Sequence, residues 1–169
     1  MLTIHLFNPT IRITQKQLTQ LDEIPFRQET VYKNSRIRII NDSTSTSPNE
    51  LIAAIDRFKG PQTIFIAGGT RKDVSFDKAA RSVKKHIHPK NLIVLSGSAT
   101  DDLLTSLQKI NYPNESITIF DTLQECIDEA LARNPKILVF SPGAASFEKF
   151  NNEFDRGEQF TTLIKKALQ

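Results

Sequence analysis

Hydroxyl, glycine and lysine residues gather at three points of this sequence, each directly after a short apolar run. Ile137–Phe140 is followed by Ser141-Pro142-Gly143-Ala144-Ala145-Ser146-Phe147. Thr63–Ala67 is followed by Gly68-Gly69-Thr70-Arg71-Lys72-Asp73, and Ile40 by Asn41-Asp42-Ser43-Thr44-Ser45-Thr46-Ser47-Pro48. Small residues let a backbone come close to a bound group, and paired glycines reach backbone angles closed to other residues. Lys72 adds a compact positive charge. Hydroxyls, backbone amides and a lysine on one edge suit a small carboxylate or phosphate. The plainer account of the last run is a tight turn, with Ser146 capping a helix that starts straight after it. Either account needs the apolar runs to be strands whose carboxyl ends lie side by side, which is where open α/β sheets bind ligands.

The elements that would arrange this are read from the apolar pattern. Residues 31–40 form a hairpin turning at Asn34-Ser35. Pro48 opens a helix with Leu51, Ile52, Ile55 and Phe58 on one stripe, and Gly60-Pro61 ends it. Thr63–Ala67 is apolar throughout, as expected of a strand covered on both faces. Further helices are expected over 76–85, 101–109, 121–133 and 155–168, and further strands over 92–95, 117–120 and 137–140. This alternation predicts an α/β fold, a Rossmann-like and mostly parallel sheet with helices on both faces, led by an antiparallel hairpin. The polar run 41–49 reads as the loosest stretch. Residues 1–27 read as a connector or the remnant of an upstream central domain, and 28–169 as the domain proper.

Composition narrows the function classes. The chain has 169 residues, 38% of them hydrophobic and 24% charged, which is enough for one packed core. A net charge of +3, with Lys and Arg spread along the chain, falls short of a nucleic-acid footprint. The single cysteine, Cys126, fits a reducing compartment. No apolar run reaches membrane-spanning length, and no signal-peptide core is visible, so a cytoplasmic protein without a membrane partner is expected. His86 and His88 have no third ligand in the pattern and read as an exposed helix end, so no metal is expected. Asp101-Asp102 and Asp128-Glu129 read as solvated or dipole-complementing carboxylates. Neither Gly-x-x-x-x-Gly-Lys-Ser/Thr nor Gly-x-Gly-x-x-Gly occurs, so the usual phosphate-cradling and dinucleotide loops are absent.

Four ordered motifs carry a resemblance. They are Ile24-Pro25-Phe26-Arg27-Gln28-Glu29, Asn41-Asp42-Ser43-x-x-Thr46 with Pro48, Ala67-Gly68-Gly69-x-x-Lys72, and Ser141-Pro142-x-x-Ala145-Ser146-Phe147 running on to Phe154-Asp155-Arg156-Gly157. In this order they resemble the carboxyl-terminal domain of the Mur ligases, of the type that adds D-glutamate to UDP-N-acetylmuramoyl-L-alanine in peptidoglycan synthesis. The resemblance runs from about Pro25 to the end. A related folylpolyglutamate synthase would share the domain but not the Ser-Pro-x-x-Ala-Ser ending.

The resemblance implies a three-domain, ATP-dependent amide-forming ligase working through an acyl phosphate that the amine of D-glutamate attacks. ATP and Mg2+ would be bound mainly by a central domain that this chain lacks, and the UDP group by an amino-terminal one. The last domain is then a lid carrying the incoming amino acid. By position in the motifs, Lys72 and Ser146 would hold the glutamate carboxylates with Thr46 beside them. Phe154 would pack against that ligand by a one-residue shift, an unshifted count falling on Glu153. Arg27 would reach the ATP phosphates and Asp42 the ribose side of the nucleotide. Thr44 stands where many relatives carry a lysine. Expected partners are D-glutamate, ATP and UDP-N-acetylmuramoyl-L-alanine, with no nucleic acid, in a cytoplasmic monomer that cannot turn over alone. The alternative is a stand-alone, non-catalytic module that binds a nucleotide or an amino acid.

Overall fold

The computed structural model describes residues 24–169, so most of the expected connector lies outside the described residues. Strands β1 (Glu29–Lys33) and β2 (Arg38–Asn41) form the expected antiparallel hairpin, and its turn is tied by Asn34, whose Oδ1 accepts from the amides of Arg36 and Ile37. Helix α1 (Pro48–Phe58), strand β3 (Thr63–Ala67), helix α2 (Asp77–His86) and strand β4 (Leu92–Leu95) follow. Helix α3 (Ser98–Lys109), strand β5 (Thr118–Phe120), helix α4 (Leu123–Ala132), strand β6 (Ile137–Phe140) and helix α5 (Glu153–Ala167) complete the chain.

The six strands lie in the order β1-β2-β6-β3-β4-β5, every pair parallel except β1 with β2. Alternation at period two splits the strand residues between the faces. Ile40, Phe65, Leu92, Val94 and Val139 meet α1, α2 and α3 through Leu51, Ile55, Val83 and Leu103. Ile39, Ile66, Ile93, Leu138 and Phe140 meet α4 and α5 through Ile127, Phe160 and Ile164. At ~25 cal/mol per Å² of apolar surface buried, these two layers are the main favourable term for the fold. Cys126 is buried in the second layer, which pushes its thiol up to about 12.

Three expectations change. Residues 41–45 are buried, so the polar run after β2 is among the best-packed turns of the molecule rather than the loosest. Helix α3 starts at Ser98, three residues before the expected start. Its first turn is capped from a distance, by the Glu148 carboxylate accepting from the Ser98 amide at 3.1 Å and from its hydroxyl. No helix starts at Ser146. Residues 147–152 form turns, and α5 begins at Glu153 under Asn152, whose Oδ1 accepts from the amides of Phe154 and Asp155, both at 2.9 Å. The capping role expected of Ser146 belongs to Asn152.

Candidate functional site

Because β2, β6 and β3 are parallel neighbours, the three loops singled out by composition leave the same edge of the sheet. They are sewn together by their backbones. Gly68 N–H donates to Pro142 O at 2.9 Å, Asp42 N–H to Phe140 O at 2.8 Å, and Thr70 and Ala145 exchange a pair of bonds at 2.9 and 3.1 Å. The approach is too close for a side chain at Gly69, where φ is +144° and a Cβ would stand 2.6 Å from Ala145 O. That is the structural requirement behind the paired glycines.

Beneath these loops lies Arg156, fully buried on α5. Its Nε donates to Ser43 Oγ at 3.0 Å and Nη2 to Ser43 O at 2.7 Å and Ala144 O at 3.1 Å. Nη1 donates to Ala144 O at 3.1 Å and Ala145 O at 3.0 Å. Every acceptor is neutral, and no carboxylate pairs with this guanidinium among the described residues. Burial pulls its pKa down to about 10, which leaves it charged at neutral pH. Sequence reasoning passed over Arg156, although a signal was present. Residues 156, 160 and 164 share one helical stripe, and the other two are the buried Phe160 and Ile164. A charge on an apolar stripe has to be held by specific partners.

Asp42 is the second buried ion. Its Oδ2 accepts from Ser141 Oγ at 2.7 Å and its Oδ1 from the Gln28 amide at 3.1 Å. Burial outweighs these bonds and raises its pKa to about 6. Asp42 therefore joins the loops after β2 and β6 to the segment carrying Arg27. That segment is anchored twice more. Thr44 donates to Phe26 O through both its amide and its hydroxyl, at 3.2 and 2.8 Å. The Phe26 ring lies against Gly157, where a Cβ would come within 2.5 Å of it. The four sequence motifs thus form one contiguous assembly.

The remaining candidate residues sit around its rim. Arg27 is half exposed, and its Nη1 meets Glu50 Oε1 at 2.8 Å. The other Glu50 oxygen accepts from the Thr46 and Ser47 amides at 2.7 and 2.9 Å, at the amino terminus of α1. Partial burial pushes the Glu50 pKa up, but these bonds outweigh it and leave the carboxyl below its usual range. Thr46 is half-buried beside it. Lys72 is exposed after β3, with no ion pair among the described residues. Ser146 is buried, and its hydroxyl has no hydrogen-bond partner among the described residues. Phe154, on the first turn of α5, is 45% exposed and meets the Phe26 ring at 6.4 Å between centroids. Thr46, Lys72 and Ser146 thus stand on three adjoining loops, and Arg27 and Phe154 on the flank beside β1 and α5.

Chemically, this edge offers an exposed cation, hydroxyls and a fixed buried charge, which suits an anionic ligand. It does not suit a metal ion. No group of three or more His, Cys, Asp or Glu side chains is placed to hold one among the described residues. The lone carboxylate at the centre, Asp42, is turned inward to Ser141 and Gln28.

No family model matches the chain. It is 33% identical over 144 residues to the UDP-N-acetylmuramoylalanine–D-glutamate ligase of Roseiflexus sp. (strain RS-1), a match covering 84% of this chain and 30% of that protein. It is 34% identical over 161 residues to the ligase of the same name from Treponema pallidum, covering 94% of this chain and 29% of that protein. The Borreliella burgdorferi (strain ZS7) ligase of that name is 32% identical over 164 residues, covering 93% of this chain and 34% of its own length. The chain therefore spans about a third of the length of the curated relatives it matches. Among solved structures, the MurF ligase from Thermotoga maritima in complex with ADP superposes with a TM-score of 0.55, at 14% identity, over 98% of this chain and 37% of that one. At that identity the superposition speaks for the fold alone.

Proposed function

The chain belongs to the Mur ligases as a carboxyl-terminal portion of one, and from that premise we propose that it is the amino-acid-binding lid of a D-glutamate-adding ligase in peptidoglycan synthesis. In that reaction ATP activates the carboxylate of UDP-N-acetylmuramoyl-L-alanine, and the amine of D-glutamate forms the new amide bond. The lid holds the dicarboxylate so that this amine faces the activated carbonyl, and positioning of this kind is worth several kcal/mol of barrier. Lys72 and Ser146 take the two carboxylates with Thr46 beside them, and Phe154 lies against the ligand. Arg27 leaves Glu50 to reach the nucleotide phosphates, and Asp42 lies toward its ribose. Mg2+ is held mainly by the central domain, in the portion of the relatives that this chain does not span. A cytoplasmic location and a monomeric lid follow from the same reading.

The observation that supports this reading best is the convergence of Thr46, Lys72 and Ser146 on three loops locked to one another at the ligand-binding edge of the sheet. Two kinetic outcomes test it. The chain by itself, given ATP and both substrates, releases no phosphate, and release above the blank would overturn the lid assignment. In a full-length ligase carrying this domain, Lys72→Ala raises the KM for D-glutamate, since one charged contact is worth ~1–3 kcal/mol. An unchanged KM removes Lys72 from the site.

A further inference from the structure

The opposite, amino-terminal edge of the sheet carries a second feature, independent of the D-glutamate reading. Lys59 follows α1, Lys85 and His86 close α2, and His88, Lys90 and Asn91 form the turn into β4. Together with Gly60-Pro61 they line a cavity of about 600 Å³ whose walls contain no acidic side chain. The sequence has no Asp or Glu from Lys78 to Thr100. Lys and Arg are dispersed along the chain as a whole, and it is the fold that brings these cations to one place.

The ordinary account of lysines here is that they offset the negative ends of two helices. It covers part of the charge. Each helix terminus carries about half a negative charge, which three lysines exceed. Lys59 is engaged by Asp56 at 3.1 Å, an exposed pair of the weak kind. Lys84, at the margin, gives its ammonium to Ile110 O. Lys85 and Lys90 are exposed and have no carboxylate partner among the described residues, and Lys90 sits on the single 3-10 turn Pro89–Asn91 rather than at the end of an α-helix. Arg133 is held at the same turn through the Lys90 carbonyl. His88 Nδ1 accepts from the Lys90 amide at 3.3 Å, which assigns the proton of the neutral ring to Nε2, a donor.

We propose that this cavity binds a small, multiply charged phosphate: pyrophosphate or the phosphate chain of a nucleotide. Its volume is that of a small-ligand site. Its donors are ammonium and imidazole groups, and at Lys85 and Lys90 no carboxylate among the described residues competes with the anion. A single-stranded nucleic acid would also need aromatic surfaces for its bases to stack on, and the lining residues include no aromatic ring beyond the histidines.

The test is a titration of the 15N-labelled chain with pyrophosphate at constant ionic strength. Saturable amide shifts are expected at Lys59 and Gly60, at residues 85–88, and at Lys90 and Asn91. The Lys85→Ala/Lys90→Ala variant, altered only at exposed positions and checked for an unchanged Tm, should bind about tenfold more weakly. ADP run in parallel identifies the source. Equal or tighter binding supports a nucleotide phosphate chain, and weaker binding supports free pyrophosphate. Shifts that fail to saturate, that sodium chloride reproduces, or that persist unchanged in the variant would overturn the site. So would tighter binding of a short RNA with shifts spread beyond the cavity.

Discussion

Replacing Arg156 tests whether one buried cation holds the candidate site together. Its five contacts engage four acceptors: Ser43 Oγ, Ser43 O, Ala144 O and Ala145 O. Ala145 O keeps a second donor in the Thr70 amide, and Ser43 Oγ keeps its own bond to Glu153 O. Arg156→Met therefore strands two buried carbonyls, at ~1–3 kcal/mol each. Removing a desolvated charge that has no anionic partner returns part of this. The net expectation is a loss of ~2–4 kcal/mol, read as a lower midpoint in urea by circular dichroism. Arg156→Lys keeps the charge but has three donors and no planar fork, so about half that loss is expected. Hydrogen exchange localises the effect. The amides of Asp42, Thr70 and Ala145 should lose protection in both variants while those of β4 keep theirs, because β4 touches none of the Arg156 acceptors. An Arg156→Met protein within ~0.5 kcal/mol of the parent, the range of an ordinary surface change, would show that these bonds do not hold the loops together.

Asp42 gives a pH signature. Its carboxyl is raised from 3.8 to about 6 by burial, so the folded state binds its proton more tightly than the unfolded chain. Its contribution is therefore fully present below about pH 4 and is lost as pH rises through about 6, an effect on the order of 3 kcal/mol. Glu50, with its pKa lowered, works in the opposite sense and is felt only at more acid pH. Asp42→Asn keeps an acceptor for Gln28 and a partner for Ser141, so urea midpoints taken between pH 4 and 7 should flatten. An unchanged slope across that window would remove Asp42 as its cause. Gly69→Ala should cost ~2 kcal/mol or more, since it combines positive-φ strain with a Cβ 2.6 Å from a carbonyl oxygen. A Tm equal to the parent's would show that the Thr70–Ala145 junction can open without cost.

Much of this architecture is legible in the sequence because it is local. The continuous apolar run Thr63–Ala67 reads as a doubly covered strand, and Pro48 and Gly60-Pro61 bracket α1, which ends at Phe58. What escaped was set by distant partners. The true start of α3 depends on Glu148, fifty residues away. The polar run 41–45 looks like a solvated loop until Asn41 Nδ2 is seen donating to Gly157 O and Ser43 O receiving Arg156. Ser146 has the residue type and approximate place of a helix cap, yet Asn152 caps α5. In the candidate site, the three loops and their common edge were readable from composition and strand order. The buried guanidinium beneath them was not taken up, because a charged residue inside an amphipathic helix is ordinarily assigned to the solvated side.

On the proposed function, Thr46, Lys72 and Ser146 together receive D-glutamate. Titration of the 15N-labelled chain with D-glutamate, with L-glutamate as the control, decides this. Saturable shifts are expected at the amides of these three residues, weaker with the L isomer, and diminished in a Lys72→Ala chain of unchanged stability. Shifts absent from these loops, equal for both isomers, or indifferent to Lys72→Ala would contradict it.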